Sequence, residues 1–174
     1  MVELKKGQPL KCRRLNCVFA GMARTTSTGL PPAAVYLVPV PIFGPCTLKK
    51  IGFVLWDLGT GGNVILGAYA DNGDKPDGGA VLAETPNTVL SLPNLRVHEI
   101  AVTDVVLDSG VIWVAFEPSS NSPSVMVWDQ ETQGGTLGSR YYDRAGGYGA
   151  LTNPCPVTAA AAFPPIMHII ITGP

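Results

Sequence analysis

The amino-acid sequence predicts an all-β protein, a single-domain β-sandwich, and three observations carry that expectation. Glycine and proline, 20 and 16 of the 174 residues, are spread along the chain and leave few windows long enough for a helix. Wherever an apolar run is long enough to read, it alternates with period two rather than following a 3.6-residue stripe. Clusters of turn-forming residues separate about ten such runs, the pattern of a two-sheet protein. A chain of this length suits one domain with a core of its own.

Taken in order, residues 15–20 alternate Leu15, Cys17 and Phe19 with other side chains and predict a short strand inside an N-terminal arm, residues 1–30. The polar run 24–29 reads as a loop. Residues 34–40 are extended, but Pro39, Pro41 and Pro45 lack the amide donor of a central strand, so an edge or a connecting arm is expected there. Residues 47–56 predict a strand with Ile51, Phe53 and Leu55 on one face, followed by a turn at 59–62.

Residues 62–84 then predict two strands joined by a turn-rich connection. Val64, Leu66 and Ala68 share one face, and Ile65, Gly67 and Tyr69 the other. Asp71, Asn72, Gly73 and Asp74 tolerate positive φ or bond their own backbone, and the loop runs on through Lys75 to Gly79. Strands are expected at 88–92 and 95–102. Residues 111–116 are apolar on both faces, Val111, Trp113 and Ala115 against Ile112, Val114 and Phe116. Such a strand needs cover twice, from the opposite sheet and from a loop, an arm or another subunit. A shorter strand follows at 125–128, and residues 166–172 form an apolar terminal strand. Between them, residues 130–156 are rich in Gly and Tyr, with Tyr141, Tyr142 and Tyr148 among Gly146, Gly147 and Gly149. Segments that long bind something or fold back as extra strands.

Only 14% of residues are charged against 46% hydrophobic, a balance that points to apolar surface buried on a partner or on further copies of the chain. Charge is also unevenly placed. Residues 1–24 carry Lys5, Lys6, Lys11, Arg13, Arg14 and Arg24 against Glu3 alone, a net charge of +5, so the rest of the chain carries −6 within the total of −1. A basic arm before an acidic body suits docking on an acidic neighbour, or a solubilising tail. Six basic residues are few for a nucleic-acid partner, where affinity follows the number of phosphates neutralised. No run approaches the ~18 apolar residues that span a bilayer, so no membrane partner is expected.

Cys12, Cys17, Cys46 and Cys155 lack the short spacing of a structural zinc site and read as buried free thiols. His98 and His168 lie in apolar alternating segments, as satisfied core residues do. No nucleophile elbow, zinc-protease pair or phosphate loop accompanies them, so no catalytic residue, no metal and no cofactor is expected. Asp71, Asn72, Asp74 and Asp77 miss the regular calcium-loop spacing and read as a turn.

Two segments resemble a known module. Residues 64–84, with an aromatic after Gly67-Ala68, then Asp71-Asn72-Gly73, Lys75-Pro76, a glycine pair and Val81-Leu82-Ala83, are similar to a motif of jelly-roll modules in tailed-bacteriophage virion proteins, also seen in carbohydrate-binding β-sandwiches. Residues 105–116, VVLDSGVIWVAF, resemble the strand that follows in such modules. The resemblance covers about a third of the chain, and Ala68 and Asp77 depart from the usual form. It implies a jelly-roll-like sandwich over residues 31–174 and a non-enzymatic virion protein. The specific expectation is a capsid decoration protein of head-stabilising or head-fibre type, made in the host cytoplasm and carried on the capsid surface. Its partners would be the major capsid protein or another virion protein and further copies of itself, as in a trimer. The expected partner-binding residues are Lys5, Lys6, Lys11, Arg13, Arg14, Tyr141, Tyr142 and Tyr148. The alternatives are a carbohydrate-binding module or tail adhesin, with the tyrosines on a glycan, and, behind these, a jelly-roll major coat protein.

Overall fold

A computed structural model describes residues 13–16, 25–90, 96–121, 123–128, 138–144, 146–161 and 165–173, with the backbone alone for 13–16, 25–28 and 128. The described residues form thirteen strands and no helix. They are β1 (Arg13–Asn16), β2 (Thr25–Gly29), β3 (Ala34–Ile42), β4 (Cys46–Asp57), β5 (Gly62–Ala70), β6 (Val81–Glu84), β7 (Thr88–Leu90), β8 (Arg96–Leu107), β9 (Gly110–Pro118), β10 (Ser124–Trp128), β11 (Arg140–Asp143), β12 (Ala159–Ala160) and β13 (Met167–Thr172). All pairings are antiparallel. The chain is a β-sandwich.

The first sheet has β4 at its centre. β8 lies on one flank of it, with β13 and β10 on the other, and these carry β1 and β2 as outer strands. The second sheet runs β12-β11-β3-β9-β5, with β6 and β7 sharing the far side of β5. Between the sheets lies the main core. It takes Leu48, Ile51, Phe53 and Leu55 from β4 and Met167, Ile169 and Ile171 from β13; the second sheet adds Val64, Leu66 and Ala68 from β5 and Ile112, Val114 and Phe116 from β9. These are alternate residues of each strand, as the pleat requires, except where a bulge between Leu48 and Lys50 sets Leu48 and Ile51 three apart.

Two expectations are corrected. The polar run 24–29 contains a strand, β2, paired with β10, because Thr25, Thr26 and Thr28 are β-branched and suit a pleated backbone despite their polarity. Residues 34–40 belong to a strand, β3, inside the sheet rather than at its edge, between β9 and β11. β11 covers only Ala34 to Leu37, and pairing with β9 continues to Ile42. Pro39 and Pro41 therefore turn their donor-less nitrogens to the flank that β11 leaves open, and the β9 ladder loses nothing.

The expectation that β9 is covered twice is met within the chain itself. On its outer side Trp113 and Ala115 join Val35, Leu37, Ile65, Tyr69, Tyr142, Leu151 and Cys155 in a second buried cluster. The cover is a strap, residues 146–158, that leaves β11, crosses the outer face of the second sheet and returns to it as β12.

Candidate functional site

Sequence reasoning placed the candidate partner-binding residues in the basic arm and the tyrosine segment. Lys5, Lys6 and Lys11 lie outside the described residues. Arg13 and Arg14 belong to β1, where they stand opposite Ile171 and Ile170 of β13, so the root of the arm is an outer strand of the first sheet.

The three tyrosines do not form one platform. Tyr141 and Tyr142 are neighbours on β11 and so point to opposite faces. Tyr141 packs on the main core and stacks on Tyr36, with ring centroids 6.2 Å apart. Tyr142 is buried beneath the strap. Its hydroxyl lies 2.8 Å from that of Tyr69, which donates in turn to the Thr152 carbonyl at 2.9 Å. Burial pushes both phenols up from their ordinary range. Tyr148 is half-buried and donates to Asn87 Oδ1 at 2.8 Å.

The strap is held by polar anchors that the sequence does not announce. Glu117, fully buried on β9, accepts from Arg144 Nη1 at 3.1 Å and from the backbone of Gly149. Burial raises its carboxyl above the usual range, and the Arg144 charge works against that rise. Glu84 Oε2 accepts from the Leu151 amide at 3.0 Å, and Asp77 Oδ1 from the amide and hydroxyl of Thr158. Gly78 donates to the Cys155 carbonyl at 2.7 Å, and the Cys155 amide to Gly79 at 2.9 Å. Leu151 fills the place where Gly67 lacks a side chain, since a Cβ at Gly67 would overlap it. One sign of this was legible: Glu117 follows Val-Ile-Trp-Val-Ala-Phe on the face of Trp113 and Ala115, where a lone carboxylate needs a partner.

The acidic turn is tied into the same structure. Asp71 accepts from Trp113 Nε1 at 2.7 Å and from the Asp74 amide at 3.2 Å, and Asn72 donates to the Asp77 carbonyl at 2.8 Å. No cluster of His, Cys, Asp and Glu able to hold a metal is present among the described residues. Cys46 and Cys155 are buried free thiols, the latter pushed up to about 12 by burial; Cys12 and Cys17 lie outside the described residues.

On the first sheet, His168 and Glu99 flank Gly52 in register from β13 and β8. The His168 ring crosses the space left by Gly52 and brings Nε2 to 3.2 Å from Glu99 Oε1. His98 corrects the expectation of two satisfied histidines. It is buried and stacked on Phe53 at 5.2 Å, yet its Nε2 has no hydrogen-bond partner, alone among the buried side-chain polar atoms of the described residues. Burial lowers its pKa.

Close to His98 the two sheets part. A groove of about 390 Å³ runs between β7 and β8, lined by Thr88, Val89 and Leu90 and by residues 97–101. A shallower hollow of about 300 Å³ lies beside the strap at Tyr142, Asp143, Arg144 and Thr152. Comparison with known families, curated proteins and solved structures finds no match to this chain.

Proposed function

We propose that the chain is a non-enzymatic structural module of a tailed-phage virion, a capsid decoration protein that works by docking on the capsid and by self-association. The observation that carries this reading is the pair of segments that resemble such modules. They fall on the β5–β6 hairpin, its connecting turn included, and on the end of β8 with most of β9, two elements that contribute Val64, Leu66, Ala68, Ile112, Val114 and Phe116 to the core. The polar chemistry supports a scaffold: Glu117, Glu84, Asp77 and Asp71 each accept a hydrogen bond that closes the fold. Arg13 and Arg14 belong to β1, an outer strand of the first sheet, and the acidic partner that a basic arm suits is the capsid surface.

Immunogold electron microscopy of native particles, with antibodies raised to the purified chain, tests the reading. Regular labelling of the head surface is expected. Labelling confined to the tail tip moves the function to an adhesin, and a chain absent from purified particles rejects the virion reading. A carbohydrate-binding role retains Tyr148, whose ring is half-exposed. A glycan-array signal lost in Tyr148→Ala, with folding unchanged, favours that role instead.

A further inference from the structure

We propose that Asn72 is a self-modifying site: the Gly73 nitrogen closes on the Asn72 side chain, water opens the resulting ring to aspartate or isoaspartate, and the product loosens the β5–β6 turn from the strap. The reaction is independent of the virion reading. It needs a side-chain carbonyl carbon followed by an unhindered backbone amide, and glycine, with no Cβ, allows the closest approach. Two places in the chain have that order, Asn72-Gly73 and Asp77-Gly78, both in the connection between β5 and β6. The fold treats them differently. Gly78 donates its amide to the Cys155 carbonyl at 2.7 Å, and Asp77 Oδ1 is held by the amide and hydroxyl of Thr158, so nucleophile and carboxylate are both engaged. Gly73 has a left-handed backbone with φ of 72°, its amide donates to no group among the described residues, and nothing lies within 4 Å of the place a Cβ would take. Asn72 and Gly73 are exposed, and among the described residues the Asn72 side chain is held by one hydrogen bond, from Nδ2 to the Asp77 carbonyl at 2.8 Å. Water replaces such an exposed bond at little cost.

The step balances with water as the only co-reactant, and nothing is oxidised or reduced. Base removes the Gly73 amide proton, the nitrogen bonds to Asn72 Cγ, the Cγ–Nδ2 bond breaks, and ammonia leaves with a proton from water. Water then adds to the cyclic imide. Cleavage at Cγ gives aspartate, and cleavage at the main-chain carbonyl gives isoaspartate, in which the chain runs through the side chain. Either product replaces the Nδ2 donor by a carboxylate that faces the Asp77 carbonyl, and it adds negative charge to a turn that already carries Asp71, Asp74 and Asp77. Isoaspartate also lengthens the backbone of a turn that the Asn72 amide closes on the Lys75 carbonyl at 2.8 Å. Asp77, Gly78 and Gly79 carry the ties to Thr158 and Cys155, so a change at Asn72 reaches the anchor of the strap.

The test keeps the purified full chain at pH 8 and 37 °C, folded in one arm and unfolded in guanidinium chloride in the other. Both are followed by peptide mass spectrometry with electron-transfer fragmentation, which separates aspartate from isoaspartate. Asn72 of the folded chain is expected to convert within about tenfold of its rate in the unfolded chain, the effect of releasing one exposed hydrogen bond. Isoaspartate at residue 77 should be confined to the unfolded arm. A slower reaction at Asn72 of the folded chain, or isoaspartate at residue 77 in that arm, overturns the proposal. For the strap, Asn72→Asp stands in for the product, and exchange of the Gly78 amide, which is bonded to the Cys155 carbonyl, should quicken about fivefold. Unchanged exchange at Gly78 overturns the link between the turn and the strap.

Discussion

The outer face of the second sheet and the β7–β8 flank are both places where a two-sheet sandwich is unfinished, and the chain treats them in opposite ways. Over β9 it lays its own strap, buries Leu151 and Cys155 against Trp113 and Tyr69, and gives the Glu84 and Glu117 carboxylates partners in Leu151 and Arg144. At the flank β7 and β8 stay apart, their outer edges are unpaired among the described residues, and His98 Nε2 is buried without a partner. An apolar face left open costs stability and is therefore closed internally. A strand edge left open is solvated by water at little cost and remains able to pair. From sequence the second layer over β9 could be a loop, an arm or another subunit, and it is a segment of the same chain.

The largest effect that can break this contrast is at Tyr142. Truncation to Ala removes a ring under the strap and leaves the Tyr69 hydroxyl without one of its partners, at an expected loss of about 4 kcal/mol in denaturant unfolding. A loss under about 1 kcal/mol would show that the strap is not packed as described. For the same reason Tyr142 is unsuitable for separating glycan binding from assembly, and Tyr148 is the residue to change.

Next comes Arg144→Ala, which strands the buried Glu117 carboxylate and should cost about 3 kcal/mol at neutral pH. The loss should shrink in acid. Glu117 holds its proton to higher pH in the folded protein than in the unfolded chain, so the folded state binds more protons in that window and gains stability as pH falls. A loss that grows on acidification contradicts the burial of Glu117.

Much of this contrast was legible only in part. The faces of β5, β9 and β13 follow from period-two alternation: Val64, Leu66 and Ala68 against Ile65 and Tyr69 is a division read from the sequence alone. The strap was visible as a long Gly-Tyr segment, but its seat was not, because nothing local links Leu151 to Gly67 or Arg144 to Glu117. β2 was hidden by its Thr-Thr-Ser-Thr polarity, and the interior place of β3 by two prolines whose harmlessness depends on where β11 stops. The groove left no signal at all. It arises from two strand ends that part in space, and sequence patterns report faces rather than edges.

On the flank side the expected effects are smaller. Gly52→Ala should cost about 2 kcal/mol, since the new methyl overlaps the His168 ring and the His98 carbonyl. A neutral result would mean that β8 gives way freely. His98→Phe should raise stability slightly, because it keeps the stack on Phe53 and removes the unpaired nitrogen. It should also remove a pH dependence. The folded-state pKa of His98 lies below the unfolded value, so as pH falls under about 6.5 the unfolded chain takes up the proton first and stability drops. Between pH 7.5 and 5.5 the parent is expected to lose more stability than the variant, and an identical pH response in both contradicts the buried, neutral state of His98.

The most direct measurement is native-state amide hydrogen exchange of the free chain, followed residue by residue. The amides of Leu151 and Cys155 in the strap should exchange only with global unfolding, while alternate amides of β8 between Val97 and Ala101 exchange rapidly and their neighbours, bonded to β4, do not. Fast exchange across the strap, or uniform protection along β8, would contradict the division between a face closed by the chain itself and a strand that, among the described residues, pairs on one side alone.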